Sequence, residues 1–136
     1  MKPVTQKHAF GCGAACVAFI VKKSYEKVVS LLEESKAISQ GYHCKDLVIC
    51  LFKFNFSYSC KYLKPKLKRR IYNEGVIVFI KRSRKYPAGH YLTRHKGLWI
   101  DPWINWNIDN NIIHARSGFR KRLPGKPIYA LFPKES

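Results

Sequence analysis

An α+β fold, with N-terminal helices packed on a C-terminal antiparallel sheet, is what this 136-residue sequence predicts. Three observations carry that expectation. Up to Lys53 the apolar residues gather in helical runs. From Phe54 onward they alternate with polar residues or form β-branched runs. Residues 90–101 place two short arms around His95-Lys96-Gly97, the pattern of a hairpin. Helices first and strands afterwards, with no repeat or low-complexity linker, read as one α+β domain over residues 1–136.

The elements follow in order. Gly13 to Lys23 predicts a buried helix, because Ala14, Ala15, Val17, Ala18, Ile20 and Val21 leave almost no polar face. Ser24 is placed to cap a second helix, with Glu26 in its first turn and Val28, Val29, Leu31 and Leu32 turned inward. A third helix is expected from about Lys45 to Lys53, started by Asp46. Phe54 to Leu63 alternates with a period of two and predicts a strand. Lys66 to Tyr72 reads as a short basic helix after Pro65, and Val76 to Lys81 as a central strand. Ile128 to Phe132 adds a last strand.

Composition bounds the function. A chain of this length buries about 65–70% of its unfolded surface, and 46% hydrophobic residues suffice for a core. Ala14–Val21 and Gly75–Ile80 are the longest apolar stretches, far below the roughly 18–20 residues of a membrane span. No secretory signal is evident, so a cytoplasmic location is expected, with delivery into another cell by a non-classical route left open. The formal charge is +18, split as +4 over residues 1–60 and +14 over residues 61–136. Three basic runs (Lys61 to Arg70, Lys81 to Lys85, Arg116 to Lys126) ordinarily mean solvated faces. Together they point to an acidic partner or a nucleic acid through the C-terminal half. Five cysteines without a C-x-x-C pair argue against a disulfide framework and against a metal site. No cofactor is expected.

One cysteine stands apart. Cys12 lies between Gly11 and Gly13 at the start of the predicted buried helix, where free N–H groups and the helix dipole favour a thiolate. The glycines are expected to admit a close backbone and a sharp turn. Alone, Cys12 reads as a small residue at a crowded turn. Gln6, six residues upstream, alone reads as a solvated terminal residue. His90 opens one arm of the hairpin and Asp101 ends the other, before Pro102. A histidine near Cys12 can take its proton, and an aspartate can fix the imidazole tautomer. The ordered set Gln6, Cys12, His90, Asp101 is what the bland readings leave unexplained. Cys16 reads as core, His95 as solvated, His8 as a rival base and Asp109 as a loop residue. Trp99, Trp103 and Trp106 read first as a core and rim cluster.

The string from Gln6 to Ile20 around Gly11-Cys12-Gly13, with Gly89-His90-Tyr91 and Trp99-Ile100-Asp101-Pro102, resembles the bacteriocin-processing double-glycine peptidases. These are papain-like domains found in bacterial peptide-exporting ABC transporters. The resemblance spans roughly residues 3–103. It implies a papain-like cysteine peptidase fold, a peptide or protein substrate, Cys12 as nucleophile, His90 as base, Asp101 as its orienting acid and Gln6 as oxyanion donor. The eleven residues from His90 to Asp101 require a tight hairpin. A deamidase or acyl transferase on the same fold would carry the same four residues. The alternative from another class is a basic binding module for nucleic acid, anionic lipid or acidic protein, on an inactive peptidase-like fold.

Overall fold

Four helices precede a six-stranded antiparallel sheet in the computed structural model, which describes residues 2–134. Met1, Glu135 and Ser136 lie outside the described residues. The helices are α1 (Cys12–Val21), α2 (Tyr25–Ser30), α3 (Glu34–Ser39) and α4 (Cys44–Lys53). The strands are β1 (Tyr58–Tyr62), β2 (Ile77–Ile80), β3 (His90–His95), β4 (Leu98–Asp101), β5 (Gly118–Arg120) and β6 (Pro127–Pro133). Their order across the sheet is β1-β6-β2-β3-β4-β5.

The apolar helix α1 is the hub of the helical layer, and it packs on β3. A helix apolar all round needs cover on every side, and α2, α4 and the sheet supply it. Lys22 closes it in a left-handed conformation, its N–H bonded to the Ala18 carbonyl. Ser24 caps α2 as expected, its Oγ accepting from the Lys27 N–H at 3.1 Å. The α4 terminus differs from expectation. It begins at Cys44, and Asp46 acts three positions in, accepting from the His43 N–H at 3.0 Å.

Strand alternation divides the core. Ile77 and Leu131 face the helices with Val17, Val28, Leu47 and Leu51. Val76, Val78, Ile80, Leu92 and Trp99 face the other side, beneath Ile71 of the 3₁₀ helix Pro65–Tyr72. Residues 127–133 run between β1 and β2, so the last strand sits inside the sheet.

Two sequence expectations need correction, and one helix was missed. The strand expected over 54–63 is confined to Tyr58–Tyr62, because Phe54 caps α4 and Asn55 takes φ 68°. Leu31 and Leu32 follow α2 instead of belonging to it. Helix α3 was not foreseen.

The hairpin of β3 and β4 is as tight as the sequence demands. Lys96 and Gly97 form a two-residue turn with φ of 48° and 77°. Positive φ at both positions matches the strand twist of such hairpins. His95 then faces Leu98 and Thr93 faces Ile100. One further step puts Asp101 across from Leu92, a diagonal neighbour of His90 on the same face.

Candidate active site

Cys12 is the first residue of α1, where Gly11 gives no side-chain cap. The first N–H groups of a helix have no intrahelical acceptor, so Cys12 sits among such donors at the positive end of the dipole. Its Sγ accepts from the Tyr91 N–H at 3.4 Å, tying α1 to β3. Its side chain is buried, with the residue 8% exposed.

The neighbouring glycines serve packing, which corrects the expectation of a sharp turn open to a close backbone. Gly11 has φ −93°, which any residue adopts. A Cβ there would fall 2.0 Å from the Tyr25 hydroxyl. A Cβ on Gly13 would fall 2.9 Å from Leu47. The missing side chains make room for neighbours under Cys12.

His90 opens β3 and lines the same cleft as Cys12, whose Sγ is bonded to the N–H of the next residue, Tyr91. Its Nε2 is 2.6 Å from Asp101 Oδ1, which leaves Nδ1 as the nitrogen free to serve the thiol. The Tyr86 ring stacks on the imidazole at 4.7 Å and 6°. A turn closed by Ser83 presents Tyr86: the Ser83 N–H donates to the Tyr86 carbonyl, and Ser83 Oγ accepts from the Tyr86 N–H. Burial acts to lower the His90 pKa, but the negative charge and hydrogen bonding offered by Asp101, and after it by Cys12, outweigh burial and lift it to about 10.

Asp101 is fully buried. Its Oδ1 also accepts from the Trp103 N–H at 2.9 Å, and its Oδ2 from Arg120 Nε at 2.7 Å. Burial alone would raise its pKa, yet the charge and hydrogen bond of His90 and the bonds from Arg120 and Trp103 hold it at about 2.

Gln6 is buried in the wall of the same cleft. Its Nε2 donates to the carbonyls of His8 at 3.1 Å and Ala9 at 3.2 Å. Its Oε1 is buried without a partner among the described residues. The amide hydrogens are thus engaged with the loop before Cys12. The structure therefore puts His90 in direct contact with Asp101 and gathers Gln6, Cys12 and His90 in one cleft.

The other candidates fall elsewhere. Cys16 is buried in the core, and burial, reinforced by Cys12, pushes its thiol well up. His8 hydrogen-bonds Tyr25 and Glu34. His95 pairs with Glu74, and Asp109 with His114. Trp99 belongs to the core on the far face, while Trp103 and Trp106 line the cleft. Two contributors escaped sequence reasoning. Arg120 and Tyr86 both lie in or beside basic runs, and only the packing of β5 on β4 and the turn at Ser83 brings them to Asp101 and His90. No group of three or more potential metal ligands occurs among the described residues.

The cleft has a volume of about 740 Å³. Cys12 and His90 lie in it beneath Phe10, Tyr42, Phe79 and Trp103. No helix of the described residues is long and apolar enough to cross a membrane.

No family model and no curated protein matches this sequence. Among solved structures, the chain is similar to the peptidase domain of Streptococcus ComA, a bi-functional ABC transporter involved in a quorum-sensing pathway. The TM-score is 0.61 at 19% sequence identity, covering 98% of this chain and 97% of that one. At that identity the likeness is one of fold. It is the papain-like α+β fold that the sequence resemblance implied, and it extends past residue 103 through β5 and β6.

Proposed function

We propose that residues 1–136 form one domain that acts as a cysteine peptidase through Cys12, His90 and Asp101. One observation carries the reading: His90 is held by the Asp101 carboxylate in the same cleft as the Cys12 thiol, which lies at a helix N-terminus and accepts from the N–H of the residue after His90. With Nε2 bound to Asp101, Nδ1 takes the thiol proton. The Cys12 thiolate adds to a substrate carbonyl, whose oxygen gains the electron pair. The Cys12 N–H stabilises that oxyanion, joined by Gln6 Nε2 once it leaves the His8 and Ala9 carbonyls. Each such donor contributes roughly 3 kcal/mol. Collapse of the intermediate expels the amine, which takes the proton from His90, and leaves a thioester on Cys12. Water, deprotonated by His90, attacks the thioester and releases the acid and the thiol.

The test is selective alkylation near pH 6, read by peptide mapping, alongside cleavage of a peptide library. The expected result is fast labelling of Cys12, abolished with peptide cleavage in His90→Ala. Labelling of Cys12 no faster than Cys16 or Cys50, or unchanged in His90→Ala, rejects the reading. Release of ammonia without backbone cleavage would assign the same site to a deamidase.

A further inference from the structure

The cleft that holds Cys12 is lined by Lys45, Lys81 and Arg82, and by no carboxylate among the described residues. Lys45 comes from the first turn of α4, and Lys81 and Arg82 directly follow β2. Cations of two separate elements therefore share one cavity with the reactive thiol.

None of these three cations makes an ion pair among the described residues, and neither does Arg84 or Lys85. Asp46 pairs with Lys36, Glu74 with His95, and Asp101 with His90 and Arg120. Asp46, next to Lys45 in sequence, lines a different and smaller hollow. From Gly75 to Ile100 the sequence has no acidic residue at all.

The arrangement is unfavourable for the fold alone. A cation in the first turn of a helix opposes the dipole. Four cations within residues 81–85 repel one another. Residues that break a local rule without a structural return mark functional sites. In a cleft with apolar walls, field lines concentrate, and an anionic ligand is enriched by ten-fold or more.

We infer that the cleft selects a peptide carrying carboxylate side chains on both flanks of an apolar segment, with Lys45 on one side and Lys81 with Arg82 on the other. The inference rests on the peptidase reading, in which the thiol beside the cations attacks the carbonyl of a peptide bond. The apolar middle of the peptide lies against Phe79 and Tyr129, and its acidic flanks reach the cations.

Two readouts test it. Binding is measured by fluorescence anisotropy on the full chain carrying Cys12→Ala, with labelled peptides identical except for glutamate, glutamine or lysine at the flanks. Cleavage of the same peptides is measured on the wild-type chain. The expected result is tighter binding of the glutamate peptide than the glutamine peptide by about ten-fold, lost at high salt. The double variant Lys81→Glu, Arg82→Glu is expected to reverse the order in favour of the lysine peptide, and its circular dichroism checks folding. Equal binding of the three peptides, or displacement by single-stranded DNA at lower concentration than by the glutamate peptide, overturns the inference. Binding of the glutamate peptide without cleavage of any peptide supports the inference and counts against the peptidase reading. Cleavage without a preference for glutamate does the reverse.

Discussion

Arg120 and His90 divide one carboxylate between them: Arg120 Nε holds Oδ2 of Asp101 at 2.7 Å, and His90 Nε2 holds Oδ1 at 2.6 Å. The guanidinium also donates to the Ile104 carbonyl at 3.2 Å, which fixes its own position. Asp101 therefore cannot turn away from the imidazole without breaking an ion pair. Arg120→Ala is expected to destabilise the fold by about 1–3 kcal/mol. It should also lower kcat of the proposed peptidase more than it changes KM. Arg120→Lys should recover stability only in part, because an ammonium lacks the planar fork. Urea unfolding and steady-state kinetics measure both effects.

Asp101 should give the fold a defined acid sensitivity. Its folded pKa, about 2, lies below the ordinary 3.8, so the unfolded chain binds that proton first as pH falls. The contribution is complete above pH ~4, amounts to about 2 kcal/mol, and is lost as pH falls towards ~2. His90 has the opposite sign. Its pKa is raised from 6.5 to about 10, so its contribution is complete below pH ~6.5 and disappears as pH rises through ~10. Unfolding free energies of wild type, Asp101→Asn and His90→Ala across pH check this. The Asp101→Asn difference should shrink at the acid end, and the His90→Ala difference at the alkaline end.

Much of this was legible in the sequence, and what was not has physical causes. Helix α1 and strand β2 announce themselves because nearly every residue in them is apolar and buried. Helix α3 buries only Ala37 and leaves Ile38 exposed, so it has no apolar face to read. Phe54 and Phe56 alternate like strand residues but follow α4 in a turn, their period arising without a pleated surface. Cys12, His90 and Asp101 stood out because local motifs and one hairpin order them. Arg120 did not, since its role depends on β5 lying beside β4. In the sequence it was one cation among a basic run.

Gly89 should resist substitution. It holds φ +77°, and an added Cβ would fall 2.2 Å from the Phe79 ring and 2.9 Å from the Ile80 carbonyl. The backbone strain and the clash together predict a loss of about 2–4 kcal/mol for Gly89→Ala. The backbone carbonyl cannot move aside, so Phe79→Leu should restore only part of the loss. Thermal unfolding of the single and double variants measures it. Because Gly89 immediately precedes His90, Cys12 alkylation should slow in the same variant.

Cys44 should be the second thiol to react. It starts α4, lines the cleft with Cys12, and its Sγ lies 3.6 Å from the Tyr91 hydroxyl. Hydrogen bonding with the Cys60 thiol holds its pKa below the ordinary cysteine value against the pull of burial, with Tyr91 assisting. Burial pushes Cys16 and Cys50 the other way. As pH rises from 6 to 8, iodoacetamide should label Cys12 first and Cys44 next, leaving Cys16 and Cys50 slow. Cys60→Ser weakens the donor facing Cys44, so the onset of Cys44 labelling should move to higher pH while Cys12 labelling stays in place. Peptide mapping by mass spectrometry separates the two sites. Simultaneous labelling of Cys44 and Cys50 would mean that the contact with Cys60 does not govern Cys44.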